Sequence, residues 1–102
     1  MAKRHQITAI IYDRKGNVLS IGRNSYIKTH PLQAKYAQEM GEDYKVFLHA
    51  EIHAITRLKD PSKAHKMVIF RYNEEGKPAL AKPCKICSQA IRQTTIKLIE
   101  HT

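Results

Sequence analysis

Ile7-Thr-Ala-Ile-Ile-Tyr12 is an almost unbroken apolar, β-prone run, and only Asp13-Arg14-Lys15-Gly16-Asn17 separates it from a second, Val18–Ile21. Runs this short and apolar read as buried strands. The intervening turn, with Gly16 available for a positive φ, joins them as an antiparallel hairpin. Gly22-Arg23-Asn24-Ser25 ends the second strand in a loop. Thr29-His30-Pro31 then supplies a cap and a first-turn proline for a helix over Leu32–Met40, with Gly41 at its stop. A second helix is predicted over Phe47–Lys59, where Leu48, Ile52, Ile55 and Leu58 follow the 3–4 spacing of a buried stripe. Asp60-Pro61-Ser62 stops it. Met67–Tyr72 reads as a third strand, followed by a loop with Gly76 and Pro78; Pro83 opens a third helix to about Thr94, and Ile96–Ile99 forms the last strand. The order β-β-α-α-β-α-β predicts an α/β fold, a mixed sheet with an antiparallel hairpin at one side and flanking helices.

A chain of 102 residues fits one domain, residues 1–102, able to bury roughly two-thirds of its unfolded surface. That suffices for one sheet with helices packed on it. No apolar run approaches the ~20 residues a bilayer span needs, so no membrane association is expected. The basic start, Met1-Ala-Lys-Arg-His-Gln6, is followed by no apolar signal-peptide core. The expected location is cytoplasmic. The formal net charge is +9, from eighteen Lys and Arg against nine Asp and Glu. Such a surface attracts polyanions and phosphate-bearing ligands, although the cations are scattered and the tyrosines are not spaced as a stacking platform.

The chemistry-bearing residues fall in two short motifs. His49-Ala50-Glu51 lies near the start of the second helix, and Pro83-Cys84-Lys85-Ile86-Cys87 at the start of the third. Cys84 and Cys87 are the only cysteines. In a reducing compartment a pair so spaced points to a metal or redox site rather than a structural staple. Residues i and i+3 share one helix face, and a helix amino end favours thiolates. Imidazole and thiolate together suit Zn²⁺. Three protein ligands, His49, Cys84 and Cys87, would leave the fourth tetrahedral position to a water acidified toward neutrality. Glu51 stands two residues from His49, which on a regular helix faces the other way. Only if both project from the first turn can Glu51 act as proton carrier.

His-Ala-Glu followed by Pro-Cys-x-x-Cys resembles the cytidine deaminase superfamily. The resemblance spans nearly the whole chain and is nearest to the deoxycytidylate deaminase branch, small phage-type members in particular. It implies a cytidine deaminase-like three-layer fold, zinc on His49, Cys84 and Cys87, and Glu51 as proton shuttle. It further implies Asn24 on the sugar and Ala50 lining the base pocket. Arg23, Lys28 and His30, on the same loop as Asn24, are candidate phosphate contacts. The expected reaction is hydrolytic deamination of a cytosine nucleotide or nucleoside, deoxycytidylate favoured.

Other readings stay open on sequence alone. The substrate could be a polynucleotide, either cytosine in single-stranded DNA or adenosine in RNA. His53, four residues after His49, could close the metal site and make it structural in a non-catalytic binding module. Asn24 could simply terminate the hairpin. The sequence departs from the family pattern at its C-terminal end. The chain stops at Thr102 where family members add a helix and a strand, and His101 stands where a tyrosine is common. This shortened end is expected to leave a strand edge uncovered, and with it the expectation of a homo-oligomer that completes the pocket between subunits.

Overall fold

The computed structural model describes residues 6–25, 30–39, 41, 49–73 and 75–102. The elements are β1 (Gln6–Tyr12), β2 (Val18–Arg23), α1 (Pro31–Glu39), α2 (Ala50–Thr56), a single 3₁₀ turn (Pro61–Lys63), β3 (Lys66–Tyr72), β4 (Pro78–Ala79), α3 (Lys85–Arg92) and β5 (Leu98–His101). The strands form one mixed sheet. β1 is central, antiparallel to β2 on one side and to β3 along its full length on the other.

β3 shares its outer edge between two partners. Its first half, Lys66–Ile69, pairs in parallel with β5, and Arg71 and Tyr72 pair antiparallel with β4. Thr102 ties the junction: its N–H donates to the Ile69 carbonyl (3.0 Å), its carbonyl accepts from Ala81 N–H (2.8 Å), and its hydroxyl donates to the Ala79 carbonyl (2.5 Å). The hairpin turn follows the sequence expectation. Gly16 has φ 86°, and the Asp13 carboxylate accepts the N–H groups of Lys15 and Asn17, both at 2.9 Å.

Ala9, Ile11, Met67 and Ile69, from β1 and β3, are fully buried together with Ala50 and Ala54 of α2 and, nearly so, Ile91 of α3. Their i, i+2 spacing puts the strand residues on one sheet face, so α2 and α3 cover that face. A second cluster joins α1 to this layer through Tyr36 and Ala37, packed with Ile52, Ile86, Cys87 and Ala90. On the other sheet face Thr8, Ile10, Val68 and Phe70 are half-buried and Ile21 is exposed.

Several boundaries differ from the sequence reading. β2 continues to Arg23 instead of ending at Ile21, because Gly22 pairs with Ala9 and Arg23 with Thr8. α2 closes at Thr56, short of Lys59, with Arg57 N–H bonded to the carbonyls of both His53 and Ala54. The predicted start at Phe47 and the stripe residue Leu48 lie outside the described residues. α3 begins at Lys85, after Cys84 has served as N-cap, and ends at Arg92. The last strand is shifted to Leu98–His101, since Ile96 N–H is taken by the Thr94 hydroxyl (3.1 Å). The loop with Gly76 and Pro78 contains the short β4. There Asn73 Oδ1 accepts the N–H groups of Glu75 and Lys77, turning the chain back onto β3.

Candidate active site

His49 and Cys84 occupy equivalent places. Each is the extended N-cap residue of a helix, His49 with φ −83° and ψ 154° before α2, Cys84 with φ −72° and ψ 174° before α3. Because His49 is not itself helical, the opposite-face rule for residues two apart does not apply. Its ring and Glu51 turn to the same region.

His49 Nδ1 lies 3.3 Å from Cys87 Sγ and 3.6 Å from Cys84 Sγ. The ligand atoms of His49, Cys84 and Cys87 all lie within 4.8 Å of one another. With Zn–S near 2.3 Å and Zn–N near 2.0–2.1 Å, a tetrahedral angle sets nitrogen and sulfur about 3.6 Å apart. The two nitrogen–sulfur separations are close to that value, so the donor set fits a zinc ion.

The two thiols of the cluster are electrostatically coupled. The Cys87 thiol donates to Cys84, which with the His49 contact holds Cys84 as a thiolate, its pKa lowered to about 3. Cys87 keeps the shared proton: the bond to Cys84, burial and the neighbouring Glu51 push its pKa well up. Glu51, only 6% exposed, reaches the Cys87 thiol, and burial raises its pKa above the ordinary carboxylate range. A buried carboxyl with a raised pKa beside a metal-ligating set has the character of a proton carrier.

His53 points elsewhere. Its Nδ1 accepts the Arg23 backbone N–H at 3.0 Å, which pins the end of β2 to α2. Among the described residues the metal-ligating group comprises His49, Cys84 and Cys87, without His53. Asn24 closes the hairpin, its Oδ1 accepting Ile7 N–H (3.0 Å) and its N–H donating to the Ile7 carbonyl (3.2 Å). Ala50 is fully buried at the first turn of α2. His30 caps α1, Nδ1 accepting Leu32 N–H at 3.0 Å, and Arg23 is exposed. Lys28 lies outside the described residues.

The profile of the cytidine and deoxycytidylate deaminase zinc-binding region matches residues 1–100. The chain belongs to this deaminase family. A search of curated proteins found no significant relative. The mixed sheet with three helices is the α/β architecture of such a deaminase domain, and the family's zinc-binding character agrees with the His49–Cys84–Cys87 cluster.

Two further residues position the deaminase site and were not singled out by motif. Gln33 of α1 is fully buried, and its Oε1 accepts the His49 backbone N–H at 3.1 Å. The sequence does carry a signal for it: Gln33, Tyr36 and Ala37 share the i, i+3, i+4 spacing of a core stripe, and a polar residue on such a stripe needs a buried partner. Gly22 is the second. A Cβ there would lie 2.2 Å from Ala54 N and 2.3 Å from the Ala50 carbonyl oxygen. Only glycine lets the backbone of α2 rest directly on β2, which fixes where His49 and Glu51 begin.

Proposed function

We propose that this deaminase domain, acting as a single unit over residues 1–102, hydrolyses the exocyclic amino group of a cytosine nucleotide or nucleoside, with deoxycytidylate the favoured substrate. The observation that carries the reading is the convergence of two helix N-caps, His49 and Cys84, with Cys87 and the buried Glu51. Zinc, when bound by three protein ligands, supplies an acidified water and leaves a position open to it. His49, Cys84 and Cys87 hold the ion. Glu51 would take one proton from the attacking water and pass it to ring N3, then take the second from the hydroxyl formed at C4 and pass it to the departing amino nitrogen. A C4–O bond forms, the C4–N bond breaks, and the uracil form and ammonia leave.

In this reading the first turn of α2 at Ala50 walls the base pocket, and Asn24, whose Oδ1 is held by Ile7 N–H at 3.0 Å, lies on the sugar side. Arg23, Lys28 and His30 are the candidate phosphate contacts. The +9 net charge supports an anionic substrate. Two cysteines that the zinc site needs reduced support a cytoplasmic site of action.

The test measures zinc content and ammonia release with deoxycytidylate, cytidylate, deoxycytidine and a single-stranded oligonucleotide. Deoxycytidylate is expected to turn over fastest. Glu51→Ala should retain zinc and lose about 10²–10⁴-fold in rate. Turnover of the oligonucleotide alone would replace the mononucleotide reading with a polynucleotide one. Wild-type activity in Glu51→Ala would remove the proton-shuttle assignment.

A further inference from the structure

The amino end of α2 rests on the Gly22–Arg23 end of β2, whereas Tyr12, paired with Val18 and Lys66, marks the opposite end of the sheet. At that opposite end the β1–β2 turn, the 3₁₀ turn and the approach to β5 enclose a hollow of ≈ 560 Å³ whose lining includes Arg14, Lys15, Lys63, His65 and Lys97. Its one carboxylate, Asp13, is already committed: Oδ1 accepts the N–H groups of Lys15 and Asn17, and Oδ2 accepts Asn17 Nδ2 at 3.1 Å. The hydroxyls are committed too, Ser62 donating to Asp60 and Thr95 to the carbonyls of Pro61 and Ala64. Among the described residues, Arg14, Lys15, Lys63 and Lys97 have no ion-pair partner. A second hollow, ≈ 570 Å³, shares Asp13, Arg14 and His65 with the first, so the two form one groove.

Arg14, Lys15, Lys63 and Lys97 outnumber the carboxylates around them, namely Asp13 in the lining, Asp60 coupled to Lys63, and Glu100, which Lys66 pairs in the second hollow; this excess calls for a ligand with several negative charges. No aromatic ring lines the first hollow, and in the second the ring of Tyr12 has Lys66 Nζ over it at 5.9 Å, so base stacking contributes little, and the long flexible cations suit phosphates spaced along a chain. The groove runs from the β1–β2 turn past His65 to the start of β5, a path that one phosphodiester strand can follow. We infer that this groove binds the phosphodiester backbone of single-stranded nucleic acid, at a site separate from the His49–Cys84–Cys87 cluster. The inference does not rest on the proposed substrate.

The test is fluorescence anisotropy of a labelled oligo(dT) of about 20 nucleotides with the zinc-loaded full chain across a salt series. Lys15→Gln/Lys63→Gln/Lys97→Gln changes exposed side chains only. It should weaken binding at least about ten-fold and reduce the salt slope by about 2, three contacts at roughly 0.7 each. Lys35→Gln/Lys77→Gln/Arg92→Gln removes the same charge elsewhere and should change affinity less than about three-fold. Ammonia release from a free nucleotide should be unchanged in both variants, which separates this outcome from failure of the catalytic reading. Equal weakening by the two variants, an unchanged slope, no binding at low salt, or tighter binding of a duplex of the same length would overturn the proposal.

Discussion

The hydrogen bond between the two sulfurs keeps one proton on the pair, lowering the pKa of Cys84 and raising that of the more buried Cys87. Metal uptake must displace that proton. Zinc binding at neutral pH is therefore predicted to release at least one proton per ion, and affinity should fall as pH falls. Calorimetry in buffers of different ionisation enthalpy checks the count; zero release would contradict it. Gln33 acts on the same site through the backbone. Gln33→Leu leaves the His49 N–H without its acceptor, a loss of about 1–3 kcal/mol. The expected consequence is zinc affinity lowered by about 10- to 100-fold, with Gln33→Glu, which keeps an acceptor oxygen, recovering much of it. A metal-competition titration on the three proteins reads both effects.

At the scale of elements, the helices do what the strands cannot: they bring residues 35 positions apart to one point. α2 gains its position from a glycine–alanine contact, Gly22 against Ala50 and Ala54. Gly22→Ala forces helix and strand apart, and overpacking of this kind costs about 1–3 kcal/mol or more. Denaturant unfolding should show the loss, together with weakened zinc binding as His49 shifts. The motif residues and most element types were legible in the sequence, since apolar periodicity and the Pro-Cys-x-x-Cys spacing are local signals. The end of β2 was not, because Gly22 and Asn24 look like turn formers until β1 pairs with them. Nor was the β3–β4 hairpin, which depends on Asn73 bonding its own turn and on Thr102 arriving from the C-terminal strand. The shared direction of His49 and Glu51 was legible only as a condition, met once His49 proved to be an N-cap.

The molecule as a whole divides its chemistry between two ends of the sheet. The metal-ligating cluster and Glu51 sit at the amino ends of α2 and α3, and the basic groove at the hairpin turn. No helix among the described residues is long and apolar enough to cross a membrane. β5 exposes Leu98 and Ile99, at 51% and 42%, and among the described residues it pairs with β3 alone. An apolar edge strand of this kind recruits another chain, so sedimentation at micromolar concentration is predicted to show a homo-oligomer that Leu98→Lys/Ile99→Lys dissociates; a wild-type monomer would contradict this. Catalysis by this domain requires an open zinc coordination sphere, and X-ray absorption spectroscopy of the zinc-loaded chain measures it directly. The predicted sphere is two sulfurs near about 2.3 Å, one imidazole nitrogen and one further light atom near about 2.0–2.1 Å. A second imidazole, a different sulfur count, or a chain that takes up no zinc would contradict it.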